Sequence, residues 1–141
     1  MTPILDSVLL IDDNEADNFL HTLVIEEAGV TKSVTAVQSG QAALDYLTTV
    51  AESGSYPQPD IIFLDINMPR MNGWEFLERY STLADNQKAD VVVVMLTTSL
   101  NPDDREAAEQ NPAIRRFENK PLTEEALLRI LEEHFPSRFE A

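Results

Sequence analysis

A chain of 141 residues, 43% hydrophobic and 25% charged, has the size and make-up of one folded domain rather than a disordered segment. Its 25 acidic and 10 basic residues leave a formal net charge of −15, which argues against a general surface for nucleic acid or anionic lipid. Cysteine is absent, so disulfides, thiolate metal sites and a cysteine nucleophile are excluded.

No apolar run approaches the length of a membrane span, and Met1-Thr2-Pro3-Ile4 shows no export signal, so a cytoplasmic protein is expected. The first apolar run, Val8 to Ile11, ends in Asp12-Asp13. Ala16, Phe19, Leu20, Leu23 and Val24 then recur at helical spacing, which predicts the inward face of a first helix stopped by Gly29. A weaker run, Val34 to Val37, precedes Ser39, a natural cap for a second helix with Ala43, Leu44, Leu47, Val50 and Ala51 on one side. Ser53 to Pro59 reads as a surface loop. Ile61 to Leu64 is a second strong run, closed by Asp65.

A third helix carries Phe76, Leu77, Tyr80 and Leu83, with Trp74 packing at its start. The run Val91 to Leu96 is followed by Thr97-Thr98. Pro102 sits near the start of a fourth helix with a thin apolar side, Ala107 and Ala108. Arg115 to Glu118 makes a poor strand that suits a sheet edge and leads to Lys120. Thr123 caps a fifth helix with Ala126, Leu127, Ile130 and Leu131 inward. His21 and His134 lack metal-ligand spacing and are expected on helix surfaces, and Glu132-Glu133 on a solvated face.

The apolar runs are continuous, not alternating, as in strands covered on both faces. Five βα units in succession predict an α/β fold: a five-stranded parallel doubly wound sheet of flavodoxin-like order 2-1-3-4-5, with five helices. The expectation is a single domain over residues 1–141, with its core at about 5–136, and no attached output domain.

In such a sheet, ligands bind beyond the carboxyl ends of the strands. Asp12-Asp13, Asp65, Thr97-Thr98 and Lys120 all stand there, and strands 1 and 3 are neighbours in the proposed order. Taken singly, each residue has a plainer role: Asp12, Asp13 and Asp65 as turn formers, Thr97 as β-branched filler, Lys120 as a solvated lysine. Their common register favours a site. Carboxylates held together repel, and a divalent cation relieves them. All-oxygen ligation suits Mg²⁺, with Mn²⁺ as the alternative, and the lack of Cys or nearby His disfavours Zn²⁺. A cation, a free carboxylate and a lysine together suit phosphoryl transfer onto a carboxylate.

Four segments carry a resemblance. They are Val8-Leu9-Leu10-Ile11-Asp12-Asp13-Asn14, Ile62-Phe63-Leu64-Asp65-Ile66-Asn67-Met68-Pro69-Arg70-Met71-Asn72-Gly73, Met95-Leu96-Thr97-Thr98-Ser99 and Phe117-Glu118-Asn119-Lys120-Pro121. In this order, each closing an expected strand, they resemble the receiver domain of two-component response regulators, over nearly the whole chain. The resemblance implies Asp65 as phosphoacceptor, and Asp12, Asp13, Asp65 and the Asn67 carbonyl as Mg²⁺ ligands. It implies Thr97 and Lys120 as partners of the phosphoryl group, and Phe117, in place of a hydroxyl-bearing Tyr, as the switch aromatic. It further implies a cis Lys120-Pro121 bond and a loop shaped by Met68-Pro69 and by Gly73, through its backbone freedom. Asn67 and Ser99 stand where they could position or block a hydrolytic water.

The function so implied is a stand-alone phosphoacceptor switch that catalyses only its own phosphorylation and dephosphorylation. Its partners would be a sensor histidine kinase or histidine phosphotransfer protein and a downstream protein target, with no nucleic acid and no membrane. The fourth helix, fifth strand and fifth helix would form the switching face, which allows a homodimer. Two other classes use the same residues: a Mg²⁺-dependent phosphatase or phosphotransferase acting on small molecules, and a docking module without phosphoryl turnover. Position 67 is Asn, so the DxD nucleophile pair of the first is absent, and the intact set of acids, Thr97 and Lys120 speaks against the second.

Overall fold

The computed structural model describes residues 5–52, 54–87, 92–98 and 101–135; Ser53, Val91 and Ser99 lie outside them. The elements in chain order are β1 (Leu5–Ile11), α1 (Glu15–Ala28), β2 (Thr31–Val37), α2 (Gly40–Leu47), β3 (Ile61–Leu64), α3 (Gly73–Tyr80), β4 (Val92–Thr97), α4 (Pro102–Gln110), β5 (Ile114–Asn119) and α5 (Glu124–His134). All strand pairings are parallel and the order is β2-β1-β3-β4-β5. The expected doubly wound sheet with five helices is therefore found, with β5 at one edge and β2 at the other.

The inner strands β1, β3 and β4 carry unbroken apolar runs because successive side chains point to opposite faces and both faces are covered, whereas the edge strands β2 and β5 are more polar. Leu9, Ile11, Ile62, Leu64, Val93 and Met95 meet Ala43, Leu44 and Leu47 of α2 and Phe76, Leu77 and Tyr80 of α3 on one side. Val8, Leu10, Ile61, Phe63, Val94 and Leu96 meet Ile25 of α1 and Leu127, Ile130 and Leu131 of α5 on the other. Burying one such side chain is worth about 1.5–3 kcal/mol, so these two layers dominate the stability.

Local chemistry sets the helix ends. Asn14, Ser39, Asn72, Asn101 and Thr123 each accept a hydrogen bond at their side-chain oxygen from a backbone N–H of the first turn. Gly29 closes α1 at φ 67°, a left-handed conformation that glycine adopts without steric penalty. The Thr48 hydroxyl donates to the Leu44 carbonyl (2.8 Å) where α2 ends, so Val50 and Ala51 lie beyond the helix and are exposed, contrary to their expected inward place. Leu83 likewise falls past α3, although it still packs against the core.

The largest departure is α1. Phe19 (67% exposed), Leu20 and Leu23 face outward, and Ala16 is exposed too. The buried positions are Asn18, His21 and Ile25, so His21, expected on the surface, is 2% exposed. Its burial has a tertiary cause, because this face of the helix lies over polar strand ends. Glu133 also departs from a purely solvated role, because its carboxylate accepts from Arg116 of β5 at 2.5 Å.

Candidate functional site

Parallel strands finish at one edge, and here the ladder continues just past them. The N–H of Asp12 donates to the Val37 carbonyl (3.1 Å), that of Asp65 to Ile11 (3.0 Å), and that of Lys120 to Thr97 (2.9 Å). The main chains of three expected site residues are thus fixed by the last carbonyls of neighbouring strands. The Lys120-Pro121 bond is cis, as the resemblance implied.

The loop after Asp65 folds back on the same edge. Gly73 N–H donates to the Ile66 carbonyl (2.8 Å), and a Cβ at residue 73 would stand 2.7 Å from the Asp65 carbonyl oxygen. Glycine is required there by close approach, not by the backbone freedom expected of it. The loop's left-handed residue is Arg70, at φ 69°.

Asp12, Asp13 and Asp65 each offer a carboxylate oxygen, and these oxygens lie within 4.8 Å of one another. Asp12 and Asp65 are buried and Asp13 is exposed, so the cluster has one open side. Asp12 Oδ1 accepts from the Asn14 N–H (2.9 Å), which leaves Oδ2 for Lys120. The Lys120 ammonium reaches Asp12 Oδ2 at 2.5 Å, Asp17 Oδ2 at 2.9 Å and Asp65 Oδ2 at 3.6 Å.

Burial disfavours the ammonium, but the hydrogen-bonded carboxylates of Asp12 and Asp17, with Asp65 nearby, outweigh it and raise the Lys120 pKa. Asp65 is also pushed up from its ordinary value, chiefly by burial, and further by Asp12 and Asp13. Lys120 and the Asn67 N–H, which donates to the carboxylate, pull the other way. One lysine does not neutralise this cluster. An oxygen-only donor set with excess negative charge fits a hard divalent cation such as Mg²⁺ or Mn²⁺.

Thr97 ends β4 next to this cluster and is fully buried. Asn67 is exposed, with its peptide N–H on Asp65. Phe117 is set apart on β5, half-buried against the core, with the Arg105 guanidinium 5.5 Å from its ring centroid.

Three residues on α1 join the site unforeseen: Asp17, Asn18 and His21. The Asn18 amide donates to the Asp12 carbonyl (2.9 Å) and the Val37 carbonyl (3.3 Å). Its Oδ1 is buried without a hydrogen-bond partner among the described residues. Asn18 and His21 line a cavity of about 10 Å³ together with Asp12, Asp65, Leu10 and Phe63. That volume holds about one water. A His therefore does lie near the acids, contrary to expectation, although His21 is not among the mutually close ligand atoms of Asp12, Asp13 and Asp65. The only sequence signal was the spacing 18, 21, 25, which marks one helix face but places polar residues on it.

A five-stranded parallel sheet with an acidic cluster and a buried lysine at its carboxyl edge defines a class of doubly wound α/β modules, and the comparisons with known proteins narrow it. Residues 8–132 match the family model described as response regulator receiver domain, and the chain belongs to that family. It is 35% identical over 126 residues to the probable methanogenesis regulatory protein FilR2 of Methanothrix harundinacea, covering 89% of this chain and 79% of that protein. The crystal structure of a two-component response regulator from Cytophaga hutchinsonii superposes with a TM-score of 0.82 at 36% identity, covering 92% of this chain and 96% of that one. The Mn²⁺-bound form of response regulator Rcp1 superposes with a TM-score of 0.70 at 27% identity, covering 92% of this chain and 91% of that one. The chain is thus a receiver module of two-component signalling. Among the described residues, no helix is long and apolar enough to cross a membrane.

Proposed function

We propose that this receiver works as a phosphorylation switch in which Asp65 takes a phosphoryl group from a phosphohistidine on a sensor kinase or a phosphotransfer protein. The observation that carries the reading is the convergence of Asp12, Asp13 and Asp65 around the Lys120 ammonium. Asp12, Asp13 and Asp65, with the carbonyl of Asn67, would hold Mg²⁺ or Mn²⁺. The cation supplies charge neutralisation for the transferring oxygens. A carboxylate oxygen of Asp65 forms the new P–O bond while the P–N bond to the donor imidazole breaks. Lys120 and the hydroxyl of Thr97 take the phosphoryl oxygens, and hydrolysis later restores the carboxylate and releases inorganic phosphate. The added charge draws these two residues inward and rearranges the face made by α4, β5 and α5, where Phe117 sits. Output is then by contact with a protein target or by passing the phosphoryl group on.

The test is incubation with acetyl phosphate and Mg²⁺ followed by mass spectrometry. One phosphoryl adduct is expected, lost in Asp65→Asn and abolished by chelating the metal. Turnover of many phosphate esters would instead mark a phosphatase, and no adduct with no turnover would mark a docking module.

A further inference from the structure

The acid nearest to Lys120 after Asp12 is Asp17, which belongs to neither the metal set nor the strand ends. It stands in the first turn of α1, where its own N–H donates to the capping Asn14 Oδ1 at 3.0 Å. A carboxylate is favoured at this end of a helix. Its Oδ2 accepts from Lys120 Nζ at 2.9 Å, across 103 residues of sequence. The Lys120 side chain is only 8% exposed, so little water competes for it.

An ammonium has three N–H donors. Two are engaged by Asp12 and Asp17, while Asp65 lies at 3.6 Å, beyond a hydrogen bond. A phosphoryl group on Asp65 must draw that ammonium to itself. A cation held by Asp12 removes one of its two present partners. Asp17 is then the remaining anion that holds Lys120 off the phosphoryl oxygens.

We propose that Asp17 is a positioning residue that retains Lys120 in the unphosphorylated state and competes with the phosphoryl group for it. This rests on the phosphoacceptor reading above. Its consequence is that Asp17 sets the resting bias of the switch: the weaker its hold, the tighter the phosphorylated state binds its lysine. A ligand shifts such an equilibrium only by its differential affinity for the two arrangements, and Asp17 subtracts from that difference.

The experiment measures trifluoroberyllate affinity at saturating Mg²⁺ for the full chain and for Asp17→Ala and Asp17→Asn, each checked for folding by circular dichroism. Affinity is expected to rise about three- to tenfold in Asp17→Ala, and less in Asp17→Asn, which keeps an acceptor oxygen. In a Lys120→Met background the gain should fall below about twofold, because Asp17 acts through that lysine. In metal-free protein the Lys120 ε-methylene resonance should move in both Asp17 variants. A wild-type adduct with unchanged or weaker affinity in the variants overturns the role of Asp17 alone. No adduct in the wild-type protein overturns the phosphoacceptor reading and this inference with it.

Discussion

Helices α1 and α5 cover the same side of the sheet, yet they obey opposite rules. In α5 the usual division holds: Leu127, Ile130 and Leu131 are buried, and Glu124, Glu125 and Arg129 face solvent. In α1 the large apolar residues Phe19, Leu20 and Leu23 point outward, while Asn18 and His21 are buried beneath them. Ile25 anchors it as a core helix would, with the half-buried Val24 and Ala28 packed against the same core. The Asn18 amide N–H group on this face is satisfied because it lies over strand ends, where the Asp12 and Val37 carbonyls accept from it. The contrast teaches that α5 serves stability, whereas α1 places polar groups at the site and presents an apolar surface beside it.

Truncating α5 should have the largest effect. Ile130→Ala is expected to cost about 2–5 kcal/mol of stability in urea denaturation, because a fully buried side chain leaves a cavity. Phosphorylation of the protein that remains folded should be unchanged; a small loss of stability would mean that α5 is not the stabilising partner of the pair.

The next effect belongs to His21 and depends on pH. Burial holds its pKa below the ordinary 6.5, with Lys120 adding to the depression and Asp17 and Asp12 opposing it. An unfolded chain takes up a proton near the ordinary value, while the folded chain resists until lower pH. Stability is therefore full above that value and is lost as pH falls through it. His21→Gln should flatten the stability profile between about pH 7 and 5. An equally steep profile in the variant would assign the loss to other groups.

Phe19 should matter least to folding and most to exchange. Phe19→Ser is expected to change stability by no more than about 0.5 kcal/mol. Transfer from a phosphohistidine donor should fall, with labelling by acetyl phosphate retained. Equal rates from the protein donor in variant and wild type would leave the outward face of α1 without a docking role.

The fold was legible because its signals are local and mutually consistent: unbroken apolar runs, caps at Ser39 and Thr123, and a glycine stop at residue 29. The acids Asp12, Asp13 and Asp65 were legible because strand topology alone carries strand ends together. The face of α1 was not, because helical periodicity assigns apolar side chains to the core and cannot see that the opposing surface is polar. Asp17 was missed for the same reason, since its partner Lys120 is distant in sequence. The role of Gly73 was misread because a close approach to the Asp65 carbonyl leaves no trace in residue order.

The two rims of the sheet carry a further consequence. β5 is irregular in its pairing between Val93 and Val94, exposes Arg115, and has Arg116 bound to Glu118 and Glu133. β2 exposes Lys32 and Ser33. Polar and charged margins of this kind, one of them irregular, are poor templates for an incoming strand. Copies of this chain are thereby discouraged from adding edge to edge into one continuous sheet or seeding fibrils.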